Sequence, residues 1–315
     1  MSIQDCTEPR CQAQGGAVEH VVESRQKDLG GFGVRRVLPA SERKRVGPFV
    51  FFDHFGPTRF EPGQQGIQVR PHPHIGLATL SYLYEGAIVH RDSLGCVQTI
   101  EPGAVNWMTA GRGIVHSERT PEALQASGSG IHGYQVWLAL PRAREEMEPG
   151  FVHHPAETIP RVERDGASLQ IVAGEAFGER SPVETASETL YVAGHLEDGA
   201  SLDLPETVAE RAVYVAEGGL TLEGVRYAPG TLFVLSPGTK ARVTATGETR
   251  FALIGGAPLD GERHVWWNLV SSSRERIERA KADWREGRFD PVPGETDSIP
   301  LPEDPLVRRD PDRTR

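Results

Sequence analysis

The stretch Arg70-Pro71-His72-Pro73-His74-Ile75-Gly76 decides how the chain is read. Its companion is Ala110-Gly111-Arg112-Gly113-Ile114-Val115-His116-Ser117-Glu118. Each holds two potential metal ligands spaced i, i+2: His72 and His74 in the first, His116 and Glu118 in the second. Side chains two apart on a β-strand share a face, and neighbouring strands lie about 4.8 Å apart. Two such strands side by side in a small barrel turn three imidazoles and one carboxylate onto one interior point. The expectation is a mononuclear metal site built by His72, His74, His116 and Glu118.

Working outward, the surroundings read as short strands between turns. Gly33-Val34-Arg35-Arg36-Val37-Leu38 is one, and Pro48-Phe49-Val50-Phe51-Phe52 is another, stopped by Asp53-His54-Phe55-Gly56-Pro57. In Leu77-Ala78-Thr79-Leu80-Ser81-Tyr82-Leu83-Tyr84, residues of both parities are apolar, which predicts a strand buried on both sides. Further strands are expected over 87–92, 97–100, 104–109, 114–118 and 132–140. Turn signals roughly every 8 to 12 residues predict an antiparallel barrel or sandwich. After the polar, Pro-bracketed connection at 141–150, the pattern repeats. Tyr82-Leu83-Tyr84-Glu85-Gly86 is echoed by Tyr214-Val215-Ala216-Glu217-Gly218, and Pro102-Gly103 by Pro229-Gly230. Counting back from the Glu-Gly turns, the places of His72 and His74 fall on Leu204 and Glu206. The counterpart of the His116 stretch, residues 236–243, has neither His nor carboxylate. One site per chain follows.

The expected organisation is a flexible leader over 1–17, a metal-binding barrel over 18–148 and a ligand-free barrel over 149–271. A helix and extended tail over 272–315 complete it. The helix is predicted from the S-x-x-E box of Ser272 and Glu275, the stripe Ile277, Ala280 and Trp284, a Glu275–Arg279 pair, and a stop at Gly287.

Composition narrows the partners. A formal net charge of −10 over 315 residues repels phosphate backbones and argues against direct nucleic-acid binding. No stretch reaches the length of a membrane span, and the start reads as lacking an apolar targeting segment. The three cysteines, Cys6, Cys11 and Cys96, make no disulfide framework; Cys6 and Cys11 fall in the polar leader. The chain reads as soluble and cytoplasmic.

Three nitrogens and one carboxylate suit Fe(II), Ni, Mn, Co, Cu or Zn, and four ligands leave up to two octahedral positions open for chemistry. Other residues are assigned lesser parts. His54 and His90, at turns or strand ends, are expected to hydrogen-bond the backbone. Gln135 and Trp107 line the pocket or pack in the core, His153 and His154 are solvated, and Met108 is core.

The spacing Gly66-(x)5-His72-x-His74, closed by Gly86, resembles the first cupin motif. The usual cupin glutamate is missing, its place held by Thr79, and the carboxylate appears in His116-x-Glu118 instead. With 48–57, 70–76, His-Arg-Asp-Ser-Leu-Gly at 90–95, Trp-Met-Thr-Ala-Gly-Arg-Gly-Ile at 107–114 and Trp-Asn-Leu-Val-Ser at 267–271, the chain resembles the pirin family over about 18–290. The resemblance implies an all-β fold of two tandem cupin (jelly-roll) β-barrels. It also implies one divalent transition metal per chain, normally iron, held by His72, His74, His116 and Glu118. The longer leader and charged tail depart from the family pattern.

It further implies two functions. Pirin-like proteins resemble quercetin 2,3-dioxygenases, which open flavonols with O2 and release carbon monoxide. Glu118 is then the general base that takes the proton of the flavonol 3-hydroxyl, and the partners are a small aromatic substrate and O2. Alternatively, some pirins resemble iron-binding, redox-sensitive regulators that meet a transcription factor or metabolic enzyme, with a protein partner in place of a substrate.

Overall fold

The computed structural model describes residues 4–5, 16–28 and 32–303. Cys6, Cys11, most of the expected leader and residues 304–315 lie outside the described residues. The strands gather into two units of the same construction. In the first, a seven-stranded sheet runs in the order Gly150–His154, Val105–Thr109, Leu77–Glu85, Ser129–Ala139, Phe49–Phe60, Gly33–Leu38 and Arg25–Asp28. A four-stranded sheet accompanies it, in the order Gln68–His74, Ile114–Arg119, Ile88–Asp92 and Val97–Ile100.

The second unit repeats both sheets. Its seven strands run Val18–Glu23, Thr231–Leu235, Glu210–Glu217, Thr249–Gly256, Thr189–Leu196, Ala167–Ala173 and Arg161–Arg164. Its four are Ser201–Asp203, Arg242–Ala245, Leu220–Leu222 and Val225–Tyr227. All ladders between named strands are antiparallel, and the expected all-β architecture of two tandem units with a C-terminal helix is present.

The units exchange edge strands. Val18–Glu23 pairs with Thr231–Leu235 of the second sheet, and Gly150–His154 pairs with Val105–Thr109 of the first. Each large sheet thereby takes one edge strand from across the boundary expected in sequence.

The two large sheets share a buried layer. Phe49, Phe52, Leu80, Tyr82 and Tyr134 of the first pack with Tyr191, Tyr214 and Ile254 of the second. Leu77–Glu85 explains its mixed pattern here. Ala78, Leu80 and Tyr82 face that shared layer, while Leu77 and Leu83 belong to other clusters of the first unit.

Phe49–Phe60 runs straight through the expected stop at Asp53. Arg36 on the neighbouring strand donates to both carboxylate oxygens of Asp53, at 2.8 and 2.7 Å, so the acid is satisfied within the ladder. The helix Arg274–Arg285 starts one residue later than expected. Ser273 is its cap, accepting from Arg276 N at 3.2 Å, because Ser272 is taken by Glu145 through its backbone N–H and its Oγ. Ile277 and Ala280 are buried against Ile75, Trp266 and Leu269, while Trp284 is only half-buried. Gly287 follows the helix at φ +68, as a stop requires. Among the described residues no helix is long and apolar enough to cross a membrane.

Candidate metal centre

Gln68–His74 and Ile114–Arg119 are neighbours, and their register sets His72 opposite His116 and His74 opposite Ile114. Alternation then turns His72, His74 and His116 onto one face. Their ring centroids lie 4.4 to 5.0 Å apart, and one ring nitrogen from each falls within 4.8 Å of the others. All three are buried.

The outer nitrogens have partners. His72 Nδ1 meets Arg70 O at 2.9 Å, and His74 Nδ1 meets Asn268 O at 3.1 Å; carbonyls only accept, so both Nδ1 atoms carry the proton. His116 Nδ1 meets His90 Nδ1 at 3.3 Å, while His90 Nε2 lies 2.9 Å from Asp92 Oδ2. Asp92 also accepts from Leu94 N and Cys96 N through Oδ1. The carboxylate accepts from His90 Nε2–H, which leaves His90 Nδ1 to accept from His116 Nδ1–H.

Burial holds the rings neutral, driving His72 down to about 4 and His74 and His116 well below their ordinary value. Neutral rings with Nδ1 protonated aim bare Nε2 lone pairs inward, and the Nε2 atoms of His74 and His116 stand 3.1 Å apart. Two nitrogens about 2.1 Å from one ion, at right angles around it, stand about 3.0 Å apart. Converging lone pairs with no proton between them fit a divalent transition metal.

The fourth expected ligand stands aside. A bulge between His116 and Glu118 sets Glu118 opposite Val69, and its carboxylate is not among the atoms that cluster within 4.8 Å. It lines the same cavity and accepts from Ser81 Oγ at 3.4 Å; Ser81 Oγ also lies 2.7 Å from Gln135 Oε1. Burial pushes the Glu118 carboxyl up, against the opposing pull of His90 and Ser81.

The cavity holds about 470 Å³. Phe51 and Trp137 stack on one wall with centroids 3.8 Å apart, and Arg36 lies 4.4 Å over the Phe51 ring. Phe55, Ile67, Val69 and Ile88 supply apolar surface, and Trp267, Asn268 and Ile299 enter from the C-terminal chain. A larger groove of about 1230 Å³ lies between the helix and the tail, but among the described residues no cluster of potential metal ligands faces it.

Several secondary expectations are corrected. His54 hydrogen-bonds side chains, not backbone: Nδ1 meets Tyr214 Oη and Nε2 meets His132 Nε2, both at 2.9 Å. Because its strand continues past Asp53, alternation points His54 into the layer between the units. His90 likewise serves side chains, as the outer partner of His116. His153 and His154 are half-buried in the exchanged strand, with His153 Nδ1 bonded to Asn106 Oδ1 at 2.7 Å. Gln135 lines the cavity; Trp107 and Met108 are core. The support from His90, Asp92 and Asn268 was missed, although His90-Arg91-Asp92 shows the same i, i+2 spacing as the ligand pairs.

Comparison with known proteins agrees with this fold. Residues 31–138 match the pirin family and residues 191–290 match the pirin C-terminal cupin domain. A pirin-like protein of Caulobacter vibrioides is 47% identical over 290 residues, covering 91% of this chain and all of that one. Pirin of Homo sapiens is 33% identical over 276 residues, covering 85% and 91%. A crystal structure of a quercetin 2,3-dioxygenase from Acinetobacter baumannii superimposes with a TM-score of 0.84 at 31% identity, over 91% of this chain and 95% of that one. With two cupin domains in tandem, a triad of inward imidazoles in the first and relatives matched along nearly the whole length, the chain belongs to the pirin family.

Proposed function

We propose that the chain is a metal-dependent dioxygenase that opens flavonols such as quercetin. The observation that carries this reading is the meeting, in one aromatic-walled cavity, of three lone-pair nitrogens and a carboxyl with raised proton affinity. The likeness to the Acinetobacter baumannii quercetin 2,3-dioxygenase supports it. The metal, which we take to be Fe(II) held by His72, His74 and His116 with Glu118 as the fourth ligand, supplies Lewis acidity and access to O2.

The remaining work falls to side chains. Glu118 takes the proton of the flavonol 3-hydroxyl at a carboxylate oxygen, and a raised proton affinity makes it the stronger base once ionised. A Glu118 standing apart from the triad, beside Ser81, is in the position this role needs, so ligand and base are alternate stations of one side chain. Phe51 and Trp137 offer a flat face to the planar rings. Phe55, Ile67, Val69 and Ile88 exclude water from the activated ring. Both atoms of O2 enter the opened product, and C3 leaves as carbon monoxide.

The test is aerobic, iron-loaded protein mixed with quercetin, followed by its visible band, O2 uptake and carbon monoxide release. Equal consumption of O2 and flavonol is expected, and Glu118→Gln keeps the metal but loses turnover. Full metal loading with no loss of the flavonol band sinks the reading. A protein partner retained only by the metal-loaded form would then favour a regulator.

A further inference from the structure

After the C-terminal helix, residues 288–303 do not trail away. They return to the first unit and touch residues beside His72, His116 and Glu118. Glu295 accepts from Ser117 Oγ at 2.9 Å, between His116 and Glu118, and from Arg119 Nε at 3.0 Å, just past Glu118. Asp297 lies 3.4 Å from Arg119 and 3.9 Å from Arg70. Ile299 N–H donates to Pro71 O at 2.8 Å, one residue before His72. Trp284 Nε1 fixes the same segment from the helix, donating to Ile299 O at 3.0 Å. Ser117 and Arg119 alternate with His116 and Glu118, so the tail runs over the outer face of Ile114–Arg119. At Ile299 it reaches the cavity, which that half-buried side chain lines together with Trp267 and Asn268.

We propose that residues 295–299 form the selectivity wall of the metal cavity, with Ile299 setting the size of molecule that reaches the three imidazoles. The segment lies past the matched pirin domains, which end at residue 290. Its wall therefore comes to the cavity from outside both matched domains. Behind it lies the groove of about 1230 Å³ between tail and helix. The tail is an arch held at Glu295 and Ile299, and a side chain on an arch can be enlarged or cut back without repacking a barrel core.

The inference rests on a metal at the triad, as proposed above, but not on oxygenase chemistry. Its test uses the full chain loaded with Co(II), whose visible bands shift when an outside ligand enters. Azide, imidazole and 4-phenylimidazole form a series of increasing size. Ile299→Trp is expected to weaken 4-phenylimidazole about ten-fold and Ile299→Ala to strengthen it by a similar factor, with azide unchanged in both. Glu295→Gln, which loosens the anchor, is expected to move 4-phenylimidazole in the direction of Ile299→Ala. Equal affinities for 4-phenylimidazole across all variants overturn the proposal. So does a parallel change in azide and Co(II) content, which makes the tail a brace for the ligand strands instead. Protein that sorts these probes by size yet never consumes quercetin refutes the dioxygenase reading and keeps the wall; protein that consumes quercetin but treats every variant alike does the reverse.

Discussion

The two barrels share strand order and ladder direction but differ inside. Where the first turns His72, His74 and His116 inward around a cavity of about 470 Å³, the second buries Leu202, Leu204, Phe233, Val243 and Phe251. Counting from the turn glycines gives Leu204 the place of His72, and the ladder joins Leu204 N to Ala241 O as it sets His72 opposite His116. The apolar barrel is filled tightly: a Cβ on Gly194 would fall 2.1 Å from the Phe251 ring. Backbone pairing is thus indifferent to what the closed face holds. One copy gives its interior to cohesion, and the other gives it to buried imidazoles that need an ion.

This contrast can be broken by experiment. The largest expected effect is on metal. His116→Ala takes the stoichiometry from about one ion per chain to none, read by elemental analysis, with the second barrel unaffected. A second ion surviving in that variant would end the contrast. Next, Leu204→Ala costs about 2–5 kcal/mol in denaturant unfolding and leaves the ion count unchanged. Asp92→Asn, which weakens the hold of His90 on His116, lowers metal affinity about 10–100-fold in chelator competition.

The smallest effect is a slope with pH. Unfolded histidines bind protons below pH 6.5, while buried His72 and His54 stay neutral down to about 4 and about 2. The unfolded state binds more protons in that window, so metal-free stability falls as the pH falls, by about 1.4 kcal/mol per unit for each such group. His54→Gln should flatten the curve below pH 6.5 by one proton's slope, measured by unfolding at several pH values.

The ligand histidines were legible because their signal is local: i, i+2 spacing fixes a shared face before any fold is known. Single strands such as Gly33–Leu38 and Val97–Ile100 were read from the same kind of pattern. The exchanged edges were not, since nothing within Val18–Glu23 says which distant strand it will meet. Asp53 and His54 look like a turn until Arg36 and Tyr214 are beside them. Glu118 has the right spacing, but the bulge that shifts it is a property of the ladder, not of its own sequence. Ser272 fits a capping box until Glu145, 127 residues away in the chain, claims it and leaves the cap to Ser273.

The exchanged strands also set an order of events during synthesis. Gly150–His154 leaves the ribosome soon after the sheet it completes. Glu23 must wait for Thr231, its hydrogen-bonding partner 208 residues downstream. At 5–20 residues per second that interval is about 10–40 s. Throughout it Val18–Glu23 has no sheet to join, whereas the strands that carry the metal-binding residues already have their neighbours.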